Sequence, residues 1–237
     1  MKSESTLAHG LERLEKYMAH TGIASRREAK ALILDGAVLV NGKVVKETGF
    51  GINPEKDVVT VKAEKMPQKE TVLLYKPRGV ETSATSEGAS DIVTEFPELA
   101  HLSPIGRLDK ESEGLILLTN DGTLTRALTA QNSHVEKEYL VTVREQVTPE
   151  AMQIMSGGIM LDEVMTKPAI AELVDDHSFT IILKEGRKHQ IRRMCDACRL
   201  TVESLVRIRI GHLKLNNMKT GTFKPVSSSD IELLKKA

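Results

Sequence analysis

Aromatic side chains make up only 3% of this 237-residue sequence, so aliphatic residues must fill whatever core it builds. Hydrophobic content is 40%, which suffices, and the length accommodates one good-sized domain plus a small one. No apolar run approaches the roughly 20 residues of a membrane span. The N-terminus, MKSESTLAHG, is polar and lacks the apolar segment of a secretory signal. Two cysteines, Cys195 and Cys198, are too few for a disulfide framework. These absences argue against membrane and secreted classes and leave a soluble cytoplasmic protein as the expectation.

The chemistry that is missing is equally informative. A structural zinc site takes four ligands, and His189 and His212 stand at no finger spacing from Cys195-Asp-Ala-Cys198. That cysteine pair falls inside a predicted helix among arginines, unlike a redox pair at a strand-to-helix junction. Its expected role is packing. The stretch Gly186-Arg-Lys-His-Gln190 lacks the G-x-x-x-x-G-K of a phosphate loop. No metal and no organic cofactor is implied.

There is no net charge either: 33 Lys and Arg balance 33 Asp and Glu. The distribution is uneven, however. Between Lys184 and Lys224 eleven basic residues face three acids, a concentration expected of a polyanion-binding face. These charges interleave with an apolar pattern, unlike a solvated tail.

The first sixty residues organise into a small domain. Leu11, Leu14 and Met18 recur at helical spacing, and Gly22 breaks that helix. Ser25 and Glu28 form an S-x-x-E capping box for a second helix, with Ala29, Leu32 and Ile33 facing inward and Gly36 at its end. Asn41-Gly42 between two β-branched runs signals a hairpin, and residues 57–61 read as a further strand. Arg26, Arg27 and Lys30 occupy the first turns of the second helix, where positive charge opposes the helix dipole; phosphate contact explains them better than helix stability. The order Ser-Arg-Arg-Glu-Ala followed by Val-Asn-Gly-Lys resembles the alpha-L RNA-binding domain first described in a ribosomal small-subunit protein. The expected organisation is a polar tail over 1–10, this domain over 11–62, a charged linker with Pro67 over 63–70, and a large domain over 71–237.

In the large domain, 72–75 and 136–143 read as strands, as do the apolar run 115–118, FTIILKEG, and the alternating SLVRIRIGHLKL. Helices are predicted near Ile92, over 123–129, over 149–156 with Pro149 at the first turn, and from about Lys188. Strands outnumber helices and alternate with them irregularly. The expected class is α+β, a mixed, mostly antiparallel sheet flanked by helices.

Ahead of the apolar strand stands Arg107-Leu108-Asp109. In extended chain, residues two apart share a face, so Arg107 and Asp109 point one way and Leu108 the other. This is either an ion pair at a strand entrance, which stabilises little, or a catalytic carboxylate beside a cation. Three segments bear on the choice: K-P-R-G at 76–79, G-R-L-D-K-x-S-x-G-L-I-L-L-T-N-D-G at 106–122, and E-G-R-K-H-Q-I-R-R-M at 185–194. Together they resemble the motifs of bacterial ribosomal RNA pseudouridine synthases of the RsuA-type group, which also carry the front RNA-binding domain. EKEYLVTV and R-R-M-C lean toward the large-subunit members.

That resemblance implies roles. Asp109 matches the essential aspartate, Tyr139 the tyrosine that packs on the target base, Arg192 the basic residue that pairs with the aspartate, and Leu205 an aliphatic lining residue. Lys76 and Arg187, in the matching motifs, join Arg26, Arg27 and Lys30 as expected RNA contacts. The implied reaction cleaves the bond between the anomeric carbon and uracil N1, rotates the base and re-bonds through C5. A glycosidase needs two carboxylates; here the uracil leaves as a delocalised anion and stays, so one can suffice. It attacks the anomeric carbon, removes a sugar proton to give a glycal, or attacks C6 of the base. A base inside folded RNA must first be flipped out. Arg107 then fills the vacated space, holds a phosphate, or keeps a structural ion pair. The expected partner is ribosomal RNA or an assembling ribosomal subunit, and the expected state a monomer. Two other readings are a non-catalytic RNA-binding or assembly protein, against which Asp109, Tyr139 and Arg192 together argue, and a glycosidase on free nucleosides, for which the front domain would have no use.

Overall fold

The computed structural model describes residues 10–65, 68–84, 89–130 and 133–236. The expected polar tail therefore lies outside the described residues except for Gly10, as do Met66 and Pro67 of the expected linker. The chain divides into two compact units, Met1–Thr71 with Thr119–Arg126, and Val72–Leu118 with Ala127–Ala237.

The first unit opens with strand β1 (Glu12–Arg13), helix α1 (Leu14–His20) and helix α2 (Arg26–Leu34). Leu11 lies outside α1 and is 40% exposed, because the next two residues pair with β4 (Gly51–Ile52) before the helix begins. Ser25 caps α2 as expected: its hydroxyl accepts from the Glu28 N–H, and Glu28 Oε2 accepts from the Ser25 N–H at 2.8 Å. Strands β2 (Val38–Val40), β3 (Lys43–Val45) and β5 (Val59–Val61) form an antiparallel sheet in the order β3-β2-β5. The β2–β3 turn is Asn41-Gly42, both with positive φ, the conformation that two-residue hairpins demand. Leu14, Met18, Ala29, Ile33, Val38 and Ile52 form its fully buried core. The stretch read as a linker carries a short 3-10 turn, Ala63–Lys65, tied by Lys65 to Asp35 at 2.9 Å.

Asn120-Asp121-Gly122, the end of the long motif, also belongs to this unit. Asn120 Nδ2 donates to Glu28 Oε1 at 2.9 Å and to the Gln68 carbonyl at 2.8 Å. A Cβ on Gly122 would fall 2.1 Å from the Ala19 carbonyl oxygen. These motif residues are thus accounted for by packing.

The remaining strands are β6 (Thr71–Lys76), β7 (Ser103–Ile105), β8 (Glu113–Thr119), β9 (Lys137–Val143), β10 (Met160–Leu161), β11 (Val164–Met165), β12 (Ile170–Asp175), β13 (Ser178–Leu183), β14 (Val202–Ile210), β15 (Leu213–Lys214) and β16 (Phe223–Pro225). Nine of them build one sheet in the order β12-β13-β9-β14-β8-β6-β16, with β15 on β14 and β7 on β8, while β10 and β11 form a hairpin. The β14–β8 pair is parallel and the β12–β13, β13–β9, β14–β9 and β16–β6 pairs antiparallel, which is the expected α+β class with a mixed, mostly antiparallel sheet. Helices α3 (Ile92–Glu95), α4 (Gly122–Thr129), α5 (Pro149–Gly157), α6 (Gln190–Ala197) and α7 (Ser228–Lys236) complete the chain. One buried cluster joins Ala151 and Met155 of α5 and Ile191, Met194 and Cys195 of α6 to Val141, Phe179 and Leu205 of the sheet. A second joins Leu74, Ile92, Leu108 and Ile116. Tyr139 packs against both.

Candidate active site

Asp109 sits in an extended segment between β7 and β8, and its neighbours fix it through the backbone. Leu108 is buried; its N–H donates to Thr82 Oγ1 at 3.0 Å, and the Thr82 hydroxyl donates back to the Leu108 carbonyl at 2.7 Å. The Gly79 N–H, in the K-P-R-G turn, donates to the Lys110 carbonyl at 2.8 Å, and the Ser112 N–H donates to the Asp109 carbonyl at 3.1 Å. With Leu108 turned into the core, Arg107 and Asp109 line a cavity of about 1340 Å³, and the Asp109 side chain is 35% exposed. The alternation expected of Arg107-Leu108-Asp109 is what the burial follows.

Tyr139, Arg192, Leu205 and Arg187 line the same cavity, together with Lys137, His189 and Arg207. Lys137 and Tyr139 are two apart on β9 and share a face. Arg207 is the cross-strand partner of Tyr139, and Leu205 that of Val141.

The ionic contacts differ from those implied by the resemblance. Arg192 was expected to pair with Asp109. Its Nη2 instead donates to the Glu111 carbonyl at 2.8 Å and lies 3.4 Å from Ser112 Oγ. The chain turns back after Asp109 and presents the backbone of Glu111 to α6, so Arg192 grips the loop. Among the described residues, the titratable side chain facing Asp109 is His189, with Nδ1 3.5 Å from Oδ2. His189 precedes α6 in a left-handed conformation, φ +53°, rare for a residue with a Cβ; the predicted helix start near Lys188 therefore falls at Gln190.

Two expected RNA contacts are committed elsewhere. Lys76 is fully buried and absent from the cavity lining. Its Nζ donates to the Pro77 carbonyl at 2.8 Å and the Val80 carbonyl at 2.6 Å, and burial pulls its pKa down to about 8. A lysine closing an apolar strand looks like a surface cation in sequence, but here the following turn folds over it. The Arg187 guanidinium donates to the Val164 and Met165 carbonyls at 2.9 and 2.6 Å, so it braces the β10–β11 hairpin. Arg26, Arg27 and Lys30 are exposed on α2 in the first unit.

Lys137 and Arg207 were not singled out in the sequence, and His189 was weighed there only as a metal ligand. Lys137 could have been found from its place two residues before Tyr139 on an alternating strand. Cys195 is fully buried, and burial pushes its thiol up to about 12, so it stays protonated. Among the described residues no three His, Cys, Asp or Glu side chains gather as metal ligands, and no helix is long and apolar enough to cross a membrane.

Comparison with known proteins bears on this geometry. Residues 70–197 match the family described as RNA pseudouridylate synthase, and residues 12–59 match the S4 domain. The ribosomal large subunit pseudouridine synthase B of Bacillus subtilis (strain 168) is 38% identical over 95% of this chain and 96% of its own. The dual-specificity RNA pseudouridine synthase RluF of Escherichia coli (strain K12) is 38% identical over 92% of this chain and 77% of its own. A crystal structure of a pseudouridylate synthase matches with a TM-score of 0.70 at 31% identity, covering 94% of this chain and 99% of that one.

Proposed function

The chain belongs to the RNA pseudouridylate synthase family, in its bacterial RsuA-type branch with an S4 domain in front, and on that premise we propose that it converts a uridine of large-subunit ribosomal RNA into pseudouridine, with Asp109 as the essential carboxylate. The observation that carries the assignment is the placement of Asp109. Three backbone clamps hold it at a large cavity that also receives Tyr139, Leu205 and Arg107. The ribosomal target is favoured by the name of the Bacillus subtilis relative, whose alignment runs nearly end to end.

Each residue then has a physical task. Tyr139 offers a flat apolar face to the flipped uracil and a hydroxyl for a hydrogen bond. Leu205, buried among the sheet core residues, closes the apolar side. Arg192 acts through the loop: by holding the Glu111 carbonyl it keeps Asp109 within reach of the sugar, and placement to fractions of an ångström governs rate in such sites. His189 flanks the carboxylate, with Nδ1 3.5 Å from Asp109 Oδ2. Arg107, exposed at the rim, takes the space the base leaves or a neighbouring phosphate. In the first unit, Arg26, Arg27 and Lys30 contact RNA phosphates, a placement the helix dipole alone disfavours. Such an enzyme works as a monomer in the cytoplasm, on ribosomal RNA or an assembling subunit.

The test is direct. Purified protein is incubated with unmodified large- and small-subunit ribosomal RNA, and pseudouridine is mapped along both. One or a few new pseudouridines in the large-subunit RNA are expected. Pseudouridine only in small-subunit or transfer RNA would overturn the target, and none in any RNA would overturn the functional reading.

A further inference from the structure

Two arginines two positions apart on β14 meet opposite fates. Arg209 has two carboxylates, with Nε 2.5 Å from Glu138 Oε2 and Nη2 3.2 Å from Glu136 Oε2. Arg207 has none. It is 4% exposed, its Nε donates to the Leu115 carbonyl at 2.5 Å, and its Nη2 has no hydrogen-bond partner among the described residues. A shift in register between Arg207 and Arg209 separates them: Arg207 stands opposite Tyr139, and Arg209 opposite Glu138. A bulge of this kind re-aims a side chain, and here it directs Arg207 to the cavity side of the sheet.

A guanidinium closed off from water without a counter-charge is unfavourable by itself, and buried polar groups are ordinarily satisfied. Its positive field acts on its neighbours. Lys137, half-buried on the Tyr139 face with no carboxylate partner among the described residues, has its pKa lowered first by burial and then by Arg207. Lys76 is pulled down chiefly by burial and then by Arg207, against the opposing charges of Glu113, Asp109 and Glu111. The cavity side beside Tyr139 thus carries two cationic side chains, Arg207 and Lys137, that no carboxylate contacts directly among the described residues, an arrangement that favours an anion.

We propose that Arg207 and Lys137 form an electropositive floor that stabilises the uracil anion released in the reaction proposed above, on which this inference rests. When the C1′–N1 bond breaks, its electron pair goes to the base and spreads over N1, O2 and O4. The sugar meanwhile bonds to an Asp109 oxygen or gives up its C2′ proton to Asp109. After the base turns, C5 forms the new bond to C1′ as the Asp109–C1′ bond breaks, or as Asp109 returns the proton to C2′; the C5 proton then leaves and N1 takes one up, so the carboxylate is regenerated and the net change is isomerisation. Charge on the base exists only between these two events. A fixed cation beneath it therefore lowers the barrier without strengthening ground-state binding. A phosphate is the other anion RNA offers. Depth argues against it, because Arg207 is buried beside Tyr139 while exposed Lys110, Lys188 and Arg107 stand nearer solvent.

The experiment compares single-turnover rates at saturating RNA for wild type, Lys137→Met, Arg207→Met and Arg207→Lys. It uses target RNA carrying either uridine or 5-fluorouridine at the modified position, followed as loss of the starting nucleoside. Fluorine stabilises the uracil anion by itself, so that substrate needs less help. The variants without charge are expected to slow the uridine reaction by about a hundredfold and the 5-fluorouridine reaction by about tenfold, with RNA affinity nearly unchanged; Arg207→Lys should recover part of the difference. Equal losses on both substrates would overturn the inference in favour of a structural role. Loss of RNA affinity with an unchanged saturating rate would assign the floor to a phosphate instead. If Arg207→Met does not fold, Lys137→Met decides alone. Absence of pseudouridine with wild-type protein would strike the underlying function, a failure separate from any pattern among the variants.

Discussion

Arg192 holds the backbone of the Asp109 loop: its Nη2 donates to the Glu111 carbonyl at 2.8 Å, two residues beyond the carboxylate. Its contribution is therefore positional, and it needs the reach and planarity of a guanidinium. Arg192→Lys keeps the charge and loses that geometry. The expected outcome is a fall of about a hundredfold in single-turnover rate, with a fall in stability of only about 1 kcal/mol, the net worth of one hydrogen bond. Rates at saturating RNA, read beside urea unfolding, check both. A rate that stays near wild type would remove Arg192 from the positioning of Asp109.

Buried Lys76 makes stability depend on alkaline pH. Below its folded value of about 8 the lysine is charged in both the folded and unfolded states, and burying that charge costs stability in full. Between about 8 and the ordinary 10.5, the folded lysine is neutral while the unfolded one keeps its proton. The unfolded state then binds more protons, and stability rises with pH. Relative to Lys76→Met, the wild-type protein should gain about 2 kcal/mol from pH 7 to pH 10. Denaturant unfolding of both proteins across that range measures it, and a flat difference would show that Lys76 stays protonated through contacts with Pro77 and Val80.

Gly114 is required by the sheet. It lies across from Arg207 in the parallel β8–β14 pair, with φ +107°. A Cβ there would fall 2.4 Å from the Arg207 carbonyl oxygen and 2.6 Å from its nitrogen. Both contacts are to backbone and cannot be relieved by a rotamer change. Gly114→Ala should cost more than about 3 kcal/mol and distort the cavity floor. Thermal unfolding and soluble yield test this; a variant as stable as wild type would contradict the close approach.

Asn120 ties residues of the first unit together through Glu28 and Gln68. Asn120→Ala leaves the Glu70 N–H, which donates to Asn120 Oδ1 at 2.9 Å, without its acceptor. The expected loss is about 1–3 kcal/mol, read by urea unfolding. A loss below a few tenths would mean that water replaces the amide.

Features set by a few adjacent residues were legible in the sequence. The Ser25–Glu28 capping box, the Asn41-Gly42 hairpin and the Pro149 helix start each depend on local bonding and occur where the residues call for them. The shared face of Arg107 and Asp109 was legible from alternation around buried Leu108, whereas the roles of Asp109 and Tyr139 were implied by the resemblance of their motifs and not by the strand pattern. What escaped depended on distant chain. Alternation along β14 puts Arg207 and Arg209 on one face, and only pairing with β9 shows the bulge that parts them. Lys76 is hidden by a turn whose Pro77 and Val80 carbonyls accept its hydrogen bonds. The partner of Asp109 turned on the left-handed backbone at His189, for which a histidine between Lys188 and Gln190 gives no signal.

The most direct test of the account is Asp109→Asn, which keeps the size of the side chain and the Leu108, Lys110 and Ser112 backbone bonds while removing the negative charge. On the RNA that wild type modifies, the variant should fold, bind with affinity within about twofold, and form pseudouridine more than about a thousandfold slower. Pseudouridine formed by Asp109→Asn at a rate within about tenfold of wild type would contradict the assignment of Asp109 and the mechanism built on it.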